Sequence, residues 1–132
     1  MSDCIFCKIA KGEIPSAKIW EDEKHIAFLD VRPNCLGHTL IIPKKHSRWL
    51  WDMADKDYIE FMLKTKIIVE KLRKYFNTDW VEEGLAGMEV EHTHIHLFPR
   101  RIDDNLGTMP IKPMQPKPST DELNKLANEI RK

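Results

Sequence analysis

His92-Thr93-His94-Ile95-His96-Leu97-Phe98-Pro99-Arg100 carries three of the chain's six histidines at alternate positions. Thr93 and Ile95 between them are β-branched, and such residues favour extended backbone. Residues two apart on a strand point to one face, so the spacing predicts a strand with a row of three imidazoles on one side. Packing alone does not explain such a row, because a buried imidazole needs hydrogen-bond partners. Along a strand the first and third rings stand about 13 Å apart, while zinc holds nitrogen at about 2.0–2.1 Å. One metal therefore hardly spans all three. At least one imidazole is left to act as a nucleophile, an acid–base group or, when protonated, a phosphate contact.

Working outward, Lys18-Ile19-Trp20-Glu21 and the run His25 to Asp30 read as strands around the polar turn Asp22-Glu23-Lys24. Pro33 and Gly37 punctuate a loop, and His38 to Pro43 reads as a buried strand that Pro43 closes. From Asp55 to Phe76 the period becomes helical. Tyr58, Phe61, Met62, Thr65, Ile68, Leu72 and Tyr75 form one core-facing stripe, with lysines and glutamates elsewhere. Asp55 is the expected N-cap and Asn77 the terminator. A strand from about Trp80 and a turn containing Gly84 and Gly87 lead to the histidines. Beyond Arg101, Pro110, Pro113, Pro116 and Pro118 forbid a persistent helix. Ser119 or Thr120 then caps a helix from Asp121 to Arg131 with Leu123, Leu126, Ala127 and Ile130 inward. These features divide the chain into a domain over 1–105 and a proline-rich linker with a short helix over 106–132. A helix that short is marginal alone and is expected to dock on the body or on a second subunit.

At 132 residues the chain reads as essentially one core, burying roughly two-thirds of its unfolded surface. Lysine plus arginine equal aspartate plus glutamate at 21 each, so no global field draws it to nucleic acid or to an acidic membrane. Lys44-Lys45-His46-Ser47-Arg48 and Arg100-Arg101 are local basic clusters, suited to a phosphate-bearing small ligand or simply solvated. No apolar run of about 18 residues spans a membrane, and no export signal is visible. An odd number of cysteines, three, in that setting points to a reducing cytoplasm.

Cys4-Ile5-Phe6-Cys7 has the spacing of two thiolates on one zinc; a redox dithiol and two small buried thiols are the other readings. His46 and His92 are the best candidates to complete a Cys2His2 site that ties the N-terminus to the sheet. His38, opening a strand after Gly37, either orients a neighbouring imidazole or is an ordinary satisfied histidine.

His92 to Phe98 resembles the signature of the histidine triad (HIT) family, three histidines alternating with apolar residues, continued by Pro99-Arg100. Cys4 to Ile9, Gly12-Glu13-Ile14-Pro15, Phe28-Leu29-Asp30, Gly37-His38-Thr39-Leu40 and Pro43-Lys44-Lys45-His46 resemble the family in the same order. The resemblance implies an α+β, HIT-like five-stranded antiparallel sheet with one long helix and short terminal helices, assembled as a homodimer that pairs two sheets. It also implies a hydrolase or transferase acting at the α-phosphate of nucleoside phosphoramidates or dinucleoside polyphosphates, through a nucleotidyl-histidine on His94. By the same resemblance His96 holds phosphate oxygens, His38 supports that network, and Asp30 binds ribose. Phe6, Ile9, Ile14 and Phe28 sandwich a purine base, although such apolar residues are more often plain core. Cys4, Cys7, His46 and His92 match the ligands of a structural zinc.

Two departures from the family pattern stand out. Where the family often has Asn-x-Gly and then Gly-Gln or Gly-Ser before the triad, this chain has Glu82-Glu83-Gly84 and Gly87-Met88. Met88 cannot donate a hydrogen bond, and a glutamate beside a phosphate repels it. They motivate a rival reading, a non-catalytic purine-nucleotide-binding regulatory module. A third reading, a zinc-dependent hydrolase with the triad as ligands, predicts that metal removal abolishes activity without unfolding the domain.

Overall fold

The computed structural model describes residues 3–132. Its elements are α1 (Ile5–Ala10), β1 (Lys18–Glu21), β2 (His25–Leu29), β3 (Thr39–Pro43), α2 (Asp55–Phe76), β4 (Trp80–Leu85), β5 (Ile95–Arg100) and α3 (Thr120–Arg131), with a 3-10 turn at Leu50–Asp52. The sheet is five-stranded, ordered β1-β2-β3-β5-β4, and every neighbouring pair is antiparallel.

The two central hydrophobic strands divide their side chains between two cores by strict alternation. Ala27, Leu29 and Ile41 join Phe61, Ile68 and Leu72 of α2 and Leu123, Ala127 and Ile130 of α3. Ile26, Phe28, Leu40 and Ile42 face the other way and pack with Phe6 and Ile9 of α1. The period-two geometry of a strand produces both layers from the same ten residues.

The expected Asp55–Phe76 helix forms over those residues. Its N-cap is Ala54, without a side-chain bond, and Asp55 sits in the first turn beside Asp57, where a carboxylate still favours the helix dipole. Asn77 ends the helix in the left-handed region at φ 51°. Phe61, Thr65, Ile68 and Leu72 are buried as the stripe predicts, whereas Tyr58 and Tyr75 stay 38% exposed. Ile59, Leu63 and Ile67 form a second apolar row at 58%, 59% and 45% exposure, so the outer face is not only lysine and glutamate.

α3 docks on the body, next to β1 and α2. Its capping box is complete: Glu122 N–H donates to Ser119 Oγ at 3.1 Å, and Ser119 N–H to Glu122 Oε1 at 2.8 Å. The chain before it is pinned by Arg100, which is 2% exposed. Its guanidinium donates to Glu82 Oε1 (2.6 Å), Asp104 Oδ2 (2.8 Å) and the Gly107 carbonyl (2.6 Å), and lies 4.4 Å over the Trp80 ring.

The extent of the histidine strand is also corrected. The histidine strand begins at Ile95, so of the three imidazoles only His96 stands on β5. The ladder with β3 covers Thr39–Leu97, Leu40–His96 and Ile41–Ile95. Beyond it, His92 Nε2 bonds the Pro43 carbonyl at 2.8 Å, and Thr93 turns to Ser47, whose carbonyl accepts the Thr93 main-chain N–H at 2.7 Å and its Oγ1 at 2.9 Å.

Candidate active site and metal centre

His38 enters the site from the end of the Asp30–Gly37 loop. Gly37 has φ +85°, and a β-carbon there would meet Phe76 ring carbons at 2.4 and 2.5 Å. Only glycine fits both demands, and the residue that follows is delivered 2% exposed against β5. His38 Nε2 lies 2.8 Å from His96 Nδ1, and His38 Nδ1 accepts the Asn34 N–H at 3.0 Å. Since Nδ1 accepts, the ring proton sits on Nε2 and is donated to His96 Nδ1. His96 therefore carries its own proton on Nε2 and presents a donor.

His94 has the opposite polarity. Its Nδ1 lies 2.7 Å from the His92 carbonyl, which can only accept. Nδ1 holds the proton, and Nε2 is left with a bare lone pair. Phe6 packs edge-on against this ring at 5.0 Å, as does His96 on another side at 5.0 Å. A lone-pair nitrogen and an N–H donor thus stand side by side, a pair able to serve as nucleophile and as oxyanion donor.

Burial keeps these rings neutral. It pushes His38 down to about 3, helped by His96, and His96 down to about 4, helped by His94. Burial also lowers His94, opposed by its bond to the His92 carbonyl and by the charges of Asp30 and Glu89. Asp30 has one oxygen 3.6 Å from His38 Nε2 and accepts the Arg32 N–H at 2.9 Å on the other. Burial raises its carboxyl from the ordinary value, opposed by the Arg32 N–H.

Cys4, Cys7, His46 and His92 gather with all ligand atoms within 4.8 Å of one another. Cys4 Sγ is 3.3 Å from His92 Nδ1, and Cys7 Sγ is 3.3 Å from His46 Nδ1 and 3.5 Å from His92 Nδ1. Bonds of about 2.3 Å to sulfur and 2.0–2.1 Å to nitrogen around a tetrahedral zinc separate S and N by roughly 3.6 Å, so the donor set fits that ion. His92 Nε2, bonded to the Pro43 carbonyl at 2.8 Å, orients Nδ1 toward the sulfurs in the manner of a second-sphere partner. His92 thereby leaves the row and faces the cysteines.

Phe6, Ile9 and Phe28 are buried in one cluster that Ile14 and Val90 border. Of the departures before the triad, Glu82 is taken up by Arg100 at 2.6 Å, and Met88 is 94% exposed. Sequence reasoning missed Glu89, whose charge reaches both Asp30 and His94. It also missed Asn34, which acts through its main chain. Only the closeness of Glu89 to the triad in sequence could have flagged the first.

An imidazole with a free lone pair beside a donor imidazole, on an antiparallel sheet with a Cys2His2 cluster at its flank, is the arrangement of a histidine-triad protein. A family profile described as the HIT domain matches residues 11–103, and the chain belongs to that family. It is 40% identical over 132 residues to adenosine 5'-monophosphoramidase HNT1 of Saccharomyces cerevisiae, covering 96% of this chain and 80% of that one. Its fold matches a Hit-like protein from Bartonella henselae with TM-score 0.84 at 31% identity, covering 99% and 96% of the two chains. It also matches a Zn-bound histidine triad family protein from Mycobacterium smegmatis with TM-score 0.75 at 26% identity, covering 98% and 91%.

Proposed function

We propose that this protein hydrolyses or transfers nucleoside monophosphate from purine nucleoside phosphoramidates or dinucleoside polyphosphates, by way of a nucleotidyl-histidine. The observation that carries the reading is the opposed bonding of His94 and His96. Nδ1 of the first faces the His92 carbonyl, and Nδ1 of the second faces His38 Nε2, whose ring accepts from Asn34, so the first is assigned a bare Nε2 and the second an N–H. His94 Nε2 attacks the α-phosphorus; an N–P bond forms, and the bond to the leaving amine breaks as that amine takes up a proton from solvent. Water then attacks the same phosphorus, releases AMP and restores His94. The His96 donor holds a phosphate oxygen through both steps, and His38 keeps it a donor. Asp30, with acceptor oxygens, binds the ribose hydroxyls, and Phe6, Ile9, Ile14 and Phe28 form the base site.

Cys4, Cys7, His46 and His92 would hold a zinc ion whose part is structural, cross-linking α1 to the segment before β5. A zinc content well below one ion per chain in protein purified without chelator would remove that part of the reading. The protein is read as a cytoplasmic homodimer with no nucleic-acid or membrane partner. Among the described residues no helix is long and apolar enough to cross a membrane.

The deciding experiment follows AMP release from adenosine phosphoramidate by the wild type and by His94→Ala. Loss in the variant, with both folded, is the expected result. Activity that survives in His94→Ala overturns the covalent mechanism. Silence from both with AMP still bound favours the regulatory module.

A further inference from the structure

The His38–His96 pair takes its polarity from the donor that bonds His38 Nδ1, the Asn34 main-chain N–H at 3.0 Å. Were that donor displaced, His38 could carry its proton on Nδ1. Its Nε2 would then accept from His96, and His96 would turn a lone pair toward the phosphate in place of a proton. Neutral imidazole has two tautomers of similar energy, and the hydrogen bond at one nitrogen selects between them. Asp30, 3.6 Å from His38 Nε2, favours the same tautomer from the other nitrogen but stands beyond hydrogen-bond distance, so Asn34 makes the close bond that selects it.

Asn34 is itself held from outside the HIT match, which ends at residue 103. Its side-chain Nδ2 donates to the Pro110 carbonyl at 3.0 Å, and the Met114 N–H donates to the Pro33 carbonyl at 2.8 Å. Pro110 is buried, and the strap from 101 to 118 is anchored at its start by the Arg100 network. One residue is thus gripped by the proline-rich strap through its side chain and grips the histidine relay through its main chain.

We infer that Asn34 is a positioning residue that couples the strap to His38 and so fixes His96 as the phosphate donor. The inference rests on the proposed reaction for its kinetic consequence, but the tautomer it fixes can be read without turnover. Asn34→Asp keeps the shape and replaces the donor to Pro110 with an acceptor, and Asn34→Ala serves if the carboxylate unfolds the loop.

In histidine-15N-labelled wild type at pH 7, His38 is expected as the Nε2–H tautomer; in the variants its ring signals shift toward a mixture. With phosphoramidate, kcat is expected to fall about tenfold while KM stays within about twofold, since a positional error at the reacting groups acts on the transition state. In a His38→Ala background the same Asn34 change is expected to cost less than about twofold, because residues acting through one another are not additive. Unchanged ring signals overturn the inference. So does a loss of kcat equal in both backgrounds, which would assign Asn34 to loop folding alone. If the wild type turns over no phosphoramidate, the reaction is wrong, and the ring signals still decide the role of Asn34.

Discussion

Gly37→Ala places a methyl on the Phe76 ring at a backbone angle that L-residues avoid. Overpacking and the left-handed φ together predict a loss of about 2–4 kcal/mol, read as a lowered urea midpoint; an unchanged midpoint would mean that the loop has room to yield. His38 gives a second prediction through its proton. Burial sets it at about 3 in the folded chain, against about 6.5 when unfolded. Below 6.5 the unfolded chain binds a proton that the folded chain refuses, so its contribution is present above 6.5 and is lost as pH falls toward 3. Between pH 7 and pH 5 the loss is about 2 kcal/mol for this one group. The wild type is expected to lose that much more stability over this interval than His38→Asn, in which position 38 does not titrate. Equal losses would place the folded His38 near its ordinary value.

α3 lies outside the matched domain and yet supplies Leu123, Ala127 and Ile130 to the principal core. Ile130 is 2% exposed, so Ile130→Ala is expected to cost about 2–5 kcal/mol, and Ser119→Ala, which opens the capping box, about 1 kcal/mol. Calorimetry of the two variants checks both, and a near-zero cost for Ile130→Ala would mean a helix that packs only loosely. Elements like this were readable in advance because their signals are local. The Asp55–Phe76 period, the β2 and β3 runs and the Ser119 cap each lie within a few residues of what they specify. The start of β5 was not readable, since it depends on the Pro43 and Ser47 carbonyls being claimed by His92 and Thr93 from 49 and 46 residues away. The gathering of Cys4, Cys7, His46 and His92 was legible by spacing and resemblance. Asn34 was not, because its part is played by a main-chain N–H and by a carbonyl 76 residues distant.

At the scale of the molecule, a sheet edge and a helix face stand open among the described residues. β4 is an edge of the sheet, in contact with α2, and an edge strand exposes main-chain groups that can pair with another copy. Ile59, Leu63 and Ile67, at successive four-residue steps on α2, are about half exposed, which is a poor position for three large apolar side chains in water. Neither is an interface alone, since stable association needs about 800 Å² from each partner. A homodimer that covers both serves the two at once, and equal numbers of acidic and basic residues, 21 of each, leave no net charge to oppose it. Leu63→Glu with Ile67→Glu places two carboxylates in that row and leaves the buried stripe of Phe61, Ile68 and Leu72 untouched. Sedimentation equilibrium is expected to give one chain mass for the double variant and twice that for the wild type, with unchanged far-ultraviolet dichroism. A wild type that is already monomeric would reject the dimer, and a variant that remains dimeric would move the interface away from α2.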